Sequence, residues 1–136
     1  HWLAERLAER AREAGRPDLL VAPPLAAGRL RERGFNQALE IARTVGSRLA
    51  VPVHPRAIGR RRDTPPQARL DRRARAANLR GAFACGADVR GRHVAIVDDV
   101  LTTGATVDAI ARVLKAAGAQ RVSAWAVARA PDPDSR

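Results

Sequence analysis

His93-Val94-Ala95-Ile96-Val97-Asp98-Asp99-Val100-Leu101-Thr102-Thr103-Gly104-Ala105-Thr106 is the stretch on which the reading of this chain turns. Val94, Ala95, Ile96 and Val97 are apolar and mostly β-branched, the composition of a strand buried on both faces. Two carboxylates follow at once at the strand's carboxyl end, then threonines and small residues. Beyond them Val107, Ile110, Leu114 and Ala117 recur at helical spacing. The chain therefore reads strand, acidic pair, tight loop, helix. In a parallel α/β sheet, ligands bind at that point.

The loop has the chemistry of a phosphate cradle. Gly104 and Ala105 let backbone come close to an anion, and the N-terminal amides of the helix face back into the loop. Thr102, Thr103 and Thr106 add hydroxyl donors. The helix dipole favours an anion there by roughly 0.3–1 kcal/mol. Asp98 and Asp99, however, repel a phosphate laid directly on them. The ligand that satisfies both halves has a phosphate for the loop and a diol or a metal for the acids, which is the shape of a ribose 5-phosphate unit. Two rival readings fail. A Walker B strand needs a partner loop ending in Gly-Lys-Ser/Thr, and the single lysine, Lys115, follows Leu114. A receiver-type acidic pocket needs a later aspartate and lysine on separate strands, and one strand-like run remains. The plain alternative is a strand–turn–helix whose acids only cap the helix, but a single cap needs far fewer polar groups.

Residues 94–106 resemble the phosphoribosyl-pyrophosphate (PRPP) motif of type I phosphoribosyltransferases. Arg31-Glu32-Arg33-Gly34-Phe35-Asn36-Gln37-Ala38, Arg62-Asp63-Thr64-Pro65-Pro66-Gln67 and the run from Arg73 through Asn78-Leu79-Arg80-Gly81-Ala82-Phe83 resemble one branch, the ComF-type competence proteins. The resemblance implies an α/β fold with a parallel sheet flanked by helices and a small basic cap over about 55–90. It implies one domain over 1–136, with a polar tail at 131–136. It also implies transfer of a phosphoribosyl group to a nitrogen acceptor with release of pyrophosphate. Asp98 and Asp99 would be the catalytic pair, holding the ribose hydroxyls and orienting Mg²⁺, directly or through water. Thr102, Thr103, Gly104, Ala105 and Thr106 would hold the 5-phosphate. Leu25, Ala26, Ala27 and Arg29, with Arg33, would hold pyrophosphate. Arg61, Arg62, Thr64 and Gln67 would belong to a flexible loop that closes over the reacting groups. For Arg33 a solvated charge is the competing reading. The acceptor is not named by any motif, and the resemblance leaves a homodimer open.

The charge favours an anionic partner. The formal net charge of +11 divides as +3 over residues 1–50, +7 over 51–87 and +1 over 88–136. The excess lies where a polyanion would be met. Single-stranded DNA, or the DNA-uptake machinery that the competence resemblance implies, is accordingly the second reading, with PRPP then a regulator. Aromatic residues make up only 3%, and the basic segment offers Phe83 alone for stacking, which is thin for a single-strand platform. Cys85 is the single cysteine. It makes no intrachain disulfide or cysteine metal site, and it fits a reduced, cytoplasmic setting. His1, His54 and His93 lack ligand spacing. No apolar run approaches the length of a membrane span, and no signal peptide is visible. With no methionine and a start at His1, the chain reads as an excerpt, and the cysteine-rich zinc module often found upstream in ComF-type proteins is absent from it.

Outward from the motif, residues 2–14 read as an amphipathic helix stopped by Gly15-Arg16-Pro17. Asp18-Leu19-Leu20-Val21-Ala22 reads as a short central strand that Pro23-Pro24 ends. Asn36 is a good N-cap for a helix burying Ala38, Ala42, Val45 and Leu49. Phe35 is placed either as a hydrophobic staple or against a ligand. Val51-Pro52-Val53 reads as a brief edge and the region from Arg60 to Arg69 as an irregular cationic loop. A short basic helix over 71–79 and a return strand at Ala82-Phe83-Ala84 follow. Gly118 stops the motif helix, and Arg121 to Ala128 form the last strand, with Trp125 in the core.

Overall fold

Two runs of alternating apolar side chains, one on each of two adjacent parallel strands, set the architecture. The computed structural model describes residues 9, 15–25, 34–61, 81–101 and 104–129. The elements are β1 (Leu19–Val21), α1 (Gln37–Leu49), β2 (Ile58–Arg60), β3 (Phe83–Cys85), β4 (His93–Leu101), α2 (Ala105–Ala116) and β5 (Arg121–Arg129). β4 is central, with β1 and β5 parallel on either side. Val53 adds a parallel bridge to Leu20 on the far side of β1, so the expected edge at 51–53 is a single bridge.

A strand sends successive side chains to opposite faces. Leu19 and Val21 of β1 join Val94 and Ile96 of β4 in one core with Val107, Ile110 and Leu114 of α2. Leu20, Ala95 and Val97 face the other way, into a core with Ala42, Val45 and Leu49 of α1. Val94, Ala95, Ile96 and Val97 are all 0% exposed, as a parallel strand covered on both faces must be. Trp125 packs against the α1 core.

The predicted cap begins as an antiparallel ribbon of β2 and β3, with Arg60 opposite Phe83. Ala57, Ile58, Ala82 and Phe83 sink into the α2-side core, tying the ribbon to the sheet. Of the segment expected to be irregular from Arg60 to Arg69, Arg60 is instead in a strand, and residues 62–69 lie outside the described residues. Arg60 is the last residue of β2, and the Arg61 amide still donates to the Ala82 carbonyl at 2.7 Å. The guanidinium of Arg60 lies 5.1 Å from the centre of the Phe83 ring, a cation–π contact that sequence periodicity does not register.

Two further expectations change. β4 does not stop before the acids but runs through them to Leu101, paired with β5 to Arg129. Phe35 is 50% exposed. A staple needs an apolar partner at the fourth helical position, and that position is Glu40. The predicted helices over 2–14 (Glu9 excepted, which is helical) and 71–79 lie outside the described residues.

Candidate functional site

The site is built past the end of β1, where β4 runs on through its two acids to Leu101. Val21, the last residue of β1, pairs with Ile96, two residues before Asp98 on β4. Across β4, Asp98 is paired with Ala126 of β5. The acidic pair thus sits between the exit of β1 and a small-residue position on β5.

Asp98 and Asp99 are both half-buried. The Asp98 carboxyl accepts the Asp99 amide at 2.8 Å. Its pKa is pushed up to about 7, chiefly by burial and next by a hydrogen bond with the Asp99 carboxyl. The charge of Asp99 pushes the same way, and the bond from the Asp99 amide opposes. Removing a carboxylate from water disfavours its charged form, and a second acid beside it adds to that. At neutral pH Asp98 is therefore close to its titration midpoint.

Gly104 occupies the N-cap of α2 with φ 81°, a left-handed conformation. As glycine it supplies no side-chain acceptor for the first turn. A Cβ at Gly104 would meet nothing within 4 Å, so the glycine answers to backbone angle alone. Ala105 and Thr106 form the first turn, both half-buried. Asp108 stands in that turn as well, exposed.

The exit of β1 is fastened from two directions. Asn36, the N-cap of α1, accepts the Leu39 amide at 3.3 Å. The same side chain donates through Nδ2 to the carbonyl of buried Pro23 at 3.0 Å. Arg60 donates through Nε to the Pro24 carbonyl at 3.1 Å. Leu25 follows, half-buried.

Of the residues singled out in the sequence, the structure places Asp98 and Asp99 in the carboxyl-terminal half of β4 and Gly104, Ala105 and Thr106 at the start of α2, while Leu25 follows β1. Arg61 is exposed at the end of the ribbon. Thr102, Thr103, Ala26, Ala27, Arg29, Arg33, Arg62, Thr64 and Gln67 lie outside the described residues. Sequence reading placed Asn36 only as a cap and put Arg60 in the cationic loop. The available signal for Arg60 was the return strand at Phe83, which needs an antiparallel partner.

A metal at this site would meet hard oxygen donors, the right class for Mg²⁺. Among the described residues no group of three His, Cys, Asp or Glu side chains forms a cage. At the opposite end of the sheet, the His93 ring lies 2.8 Å from the Ser123 hydroxyl. Its pKa is lowered by burial and then by Arg121, against the pull of Asp18. Among the described residues no helix is long and apolar enough to cross a membrane.

The phosphoribosyl transferase domain matches the chain over residues 3–135. DNA utilization protein YhgH of Escherichia coli is 41% identical over 113 residues, 83% of this chain and 50% of that protein. Competence protein F of Haemophilus influenzae is 33% identical over 132 residues, 95% of this chain and 58% of that protein. The chain thus spans about half the length of the curated relatives it matches. In fold it is similar to adenine phosphoribosyltransferase from Thermoanaerobacter pseudethanolicus, with a TM-score of 0.61 at 18% identity over 95% of this chain and 79% of that one. Domain match, relatives and fold agree with the residues at the end of β4: the chain belongs to the phosphoribosyltransferase family, in its ComF-type branch.

Proposed function

We propose that this protein binds PRPP with Mg²⁺ and transfers its phosphoribosyl group to a nitrogen acceptor. One observation carries the reading. An acidic pair lies in the carboxyl-terminal half of β4, the N-terminus of α2 follows that strand, and the parallel neighbour β1 ends at Val21, opposite Ile96. That arrangement suits a ligand with a diol in the middle and an anion at each end. Asp98 and Asp99 take the ribose hydroxyls. Gly104, Ala105 and Thr106, with Thr102 and Thr103, take the 5-phosphate. The backbone at Leu25, Ala26 and Ala27, with Arg29 and Arg33, takes the pyrophosphate. Arg61, Arg62, Thr64 and Gln67 close over it.

In the reaction the bond from the anomeric carbon to pyrophosphate breaks, a carbon–nitrogen bond forms, and the acceptor nitrogen gives up a proton. Positive charge develops on the sugar and negative charge on the leaving group. No side-chain nucleophile is required, because donors already aimed at the leaving group provide the stabilisation. Held by Asp98 and Asp99, Mg²⁺ would supply charge neutralisation at the pyrophosphate oxygens. Two half-buried carboxylates beside the sugar favour a cation-like centre most when both are ionised, which for Asp98 means above about pH 7. Unfolding with PRPP and Mg²⁺ tests the reading. Ligand at about 100 times its Kd should add about 2.7 kcal/mol of stability, and pyrophosphate release can then be screened across bases and amines. A midpoint unmoved by PRPP at millimolar concentration would remove it.

A second reading has its own support. The relatives are named for DNA utilization and competence, and residues 51–87 carry +7. In it the chain handles single-stranded DNA, with PRPP a regulator. Binding of an oligonucleotide across a salt series separates the two, since several phosphate contacts impose a steep log–log slope. Absence of binding at low salt eliminates the second reading.

A further inference from the structure

Pro23 and Pro24 end β1, and neither has an amide hydrogen to give. Two consecutive residues there have only carbonyls with which to anchor the backbone. Each carbonyl is taken by a different element: Pro23 by Asn36 Nδ2 of the α1 cap at 3.0 Å, Pro24 by Arg60 Nε of the ribbon at 3.1 Å. Pro23 is buried, so its carbonyl needs a donor from the protein.

The choice of residues is informative. Asn, Asp, Ser and Thr all cap helices well. Among them only Asn carries an acceptor oxygen and a separate amino group with two hydrogens. Asn36 uses both, capping Leu39 with one and holding Pro23 with the other. A capping requirement alone would be met by serine or aspartate. The fork at Arg60 is likewise steadied by the ring of Phe83, which is 3% exposed and sits in the core.

We propose that Asn36 and Arg60 are positioning residues for the pyrophosphate end of the site. By holding the carbonyls of Pro23 and Pro24 they preset the backbone at Leu25, from which the pyrophosphate loop departs. This rests on the assignment of that loop made above. Both side chains act through the backbone, and the gain is preorganisation, since an anion binding to fixed amides spends nothing on ordering them.

The test compares inorganic pyrophosphate with Mg²⁺ and ribose 5-phosphate, titrated separately by calorimetry into the wild-type protein, Asn36→Ser and Arg60→Lys. Asn36→Ser retains a capping acceptor but has no group that reaches Pro23. Arg60→Lys keeps the charge but loses the fixed fork. Each variant should bind pyrophosphate about 3- to 10-fold more weakly, with ribose 5-phosphate affinity within twofold of wild type. Equal losses for both probes, or no loss for either, would overturn the proposal. A wild-type protein that binds neither probe takes down the PRPP reading itself and this inference with it. Should Asn36→Ser fail to fold, Arg60→Lys carries the same comparison.

Discussion

Asp98 Oδ1 accepts the backbone N–H of Asp99 at 2.8 Å, a bond between sequence neighbours that turns one carboxyl back onto its own strand. The bond supports the charged form, yet burial and the neighbouring acid outweigh it, and Asp98 is pushed up to about 7.

The unfolded chain releases the Asp98 proton near 3.8, whereas the native protein keeps it to about 7. Between those values the native state binds more protons, so this residue's contribution to stability falls as pH rises through that window and levels off above it. Asp98→Asn removes the titration while keeping an acceptor oxygen for the Asp99 amide. Its melting temperature relative to wild type should therefore rise by several degrees on going from pH 5 to pH 8.5. A difference that stays constant with pH would show that Asp98 is not the group responsible.

The same substitution should weaken PRPP–Mg²⁺ binding, and so should Asp99→Asn. Charge-assisted hydrogen bonds contribute roughly 1.5–3 kcal/mol, or about 10- to 150-fold in affinity. Wild-type affinity should climb between pH 6 and pH 8.5 as Asp98 ionises, and Asp98→Asn should lose that climb. Calorimetry at both pH values reads the effect. Identical affinities in all three proteins would refute the assigned roles.

Gly46 packs α1 against the residues that flank β1. A Cβ there would lie 2.7 Å from the Val51 carbonyl oxygen and 2.8 Å from Val53 Cγ2, and the first of these is backbone. Gly46→Ala should destabilise the fold by about 1–3 kcal/mol through overpacking, despite alanine's better helix propensity. Urea denaturation checks this; a stabilised variant would mean that α1 shifts without penalty.

Gly104 and Ala50 make a reciprocal pair of backbone tests. Gly104 has φ 81° with open space around a would-be Cβ, and Ala50 caps α1 with φ 54°. Left-handed angles cost a residue with a Cβ about 1–2 kcal/mol. Gly104→Ala should therefore lose about that much stability, and Ala50→Gly should gain up to about 1 kcal/mol. Ala50→Gly should leave ribose 5-phosphate binding alone, whereas Gly104→Ala should weaken it. Unfolding and ligand titration of the two variants decide the matter.

Much of the fold was legible because it is periodic. The unbroken apolar, mostly β-branched run Val94, Ala95, Ile96 and Val97 assigned a strand buried on both faces, and the spacing of Val107, Ile110 and Leu114 assigned the helix behind it. Asn36 was readable as a cap because capping is local, and it does cap. Phe35 was misplaced as a staple candidate because its partner position holds Glu40, a question of helix phase rather than composition. The reach of β4 through its two acids was missed because carboxylates disfavour strands locally, and pairing with β5 overrides that preference.

By itself, then, the chain determined its elements, their two-sided burial and the acidic motif at the end of β4, all consequences of hydrophobic spacing and short-range chemistry. Only the tertiary structure decided that Val21 comes opposite Ile96, that Asn36 and Arg60 share the holding of the β1 exit, and that Asp98 keeps its proton near neutrality. Each of these depends on groups separated along the chain, or on how much water the assembled sheet excludes, and neither distance nor solvation is written in the order of residues.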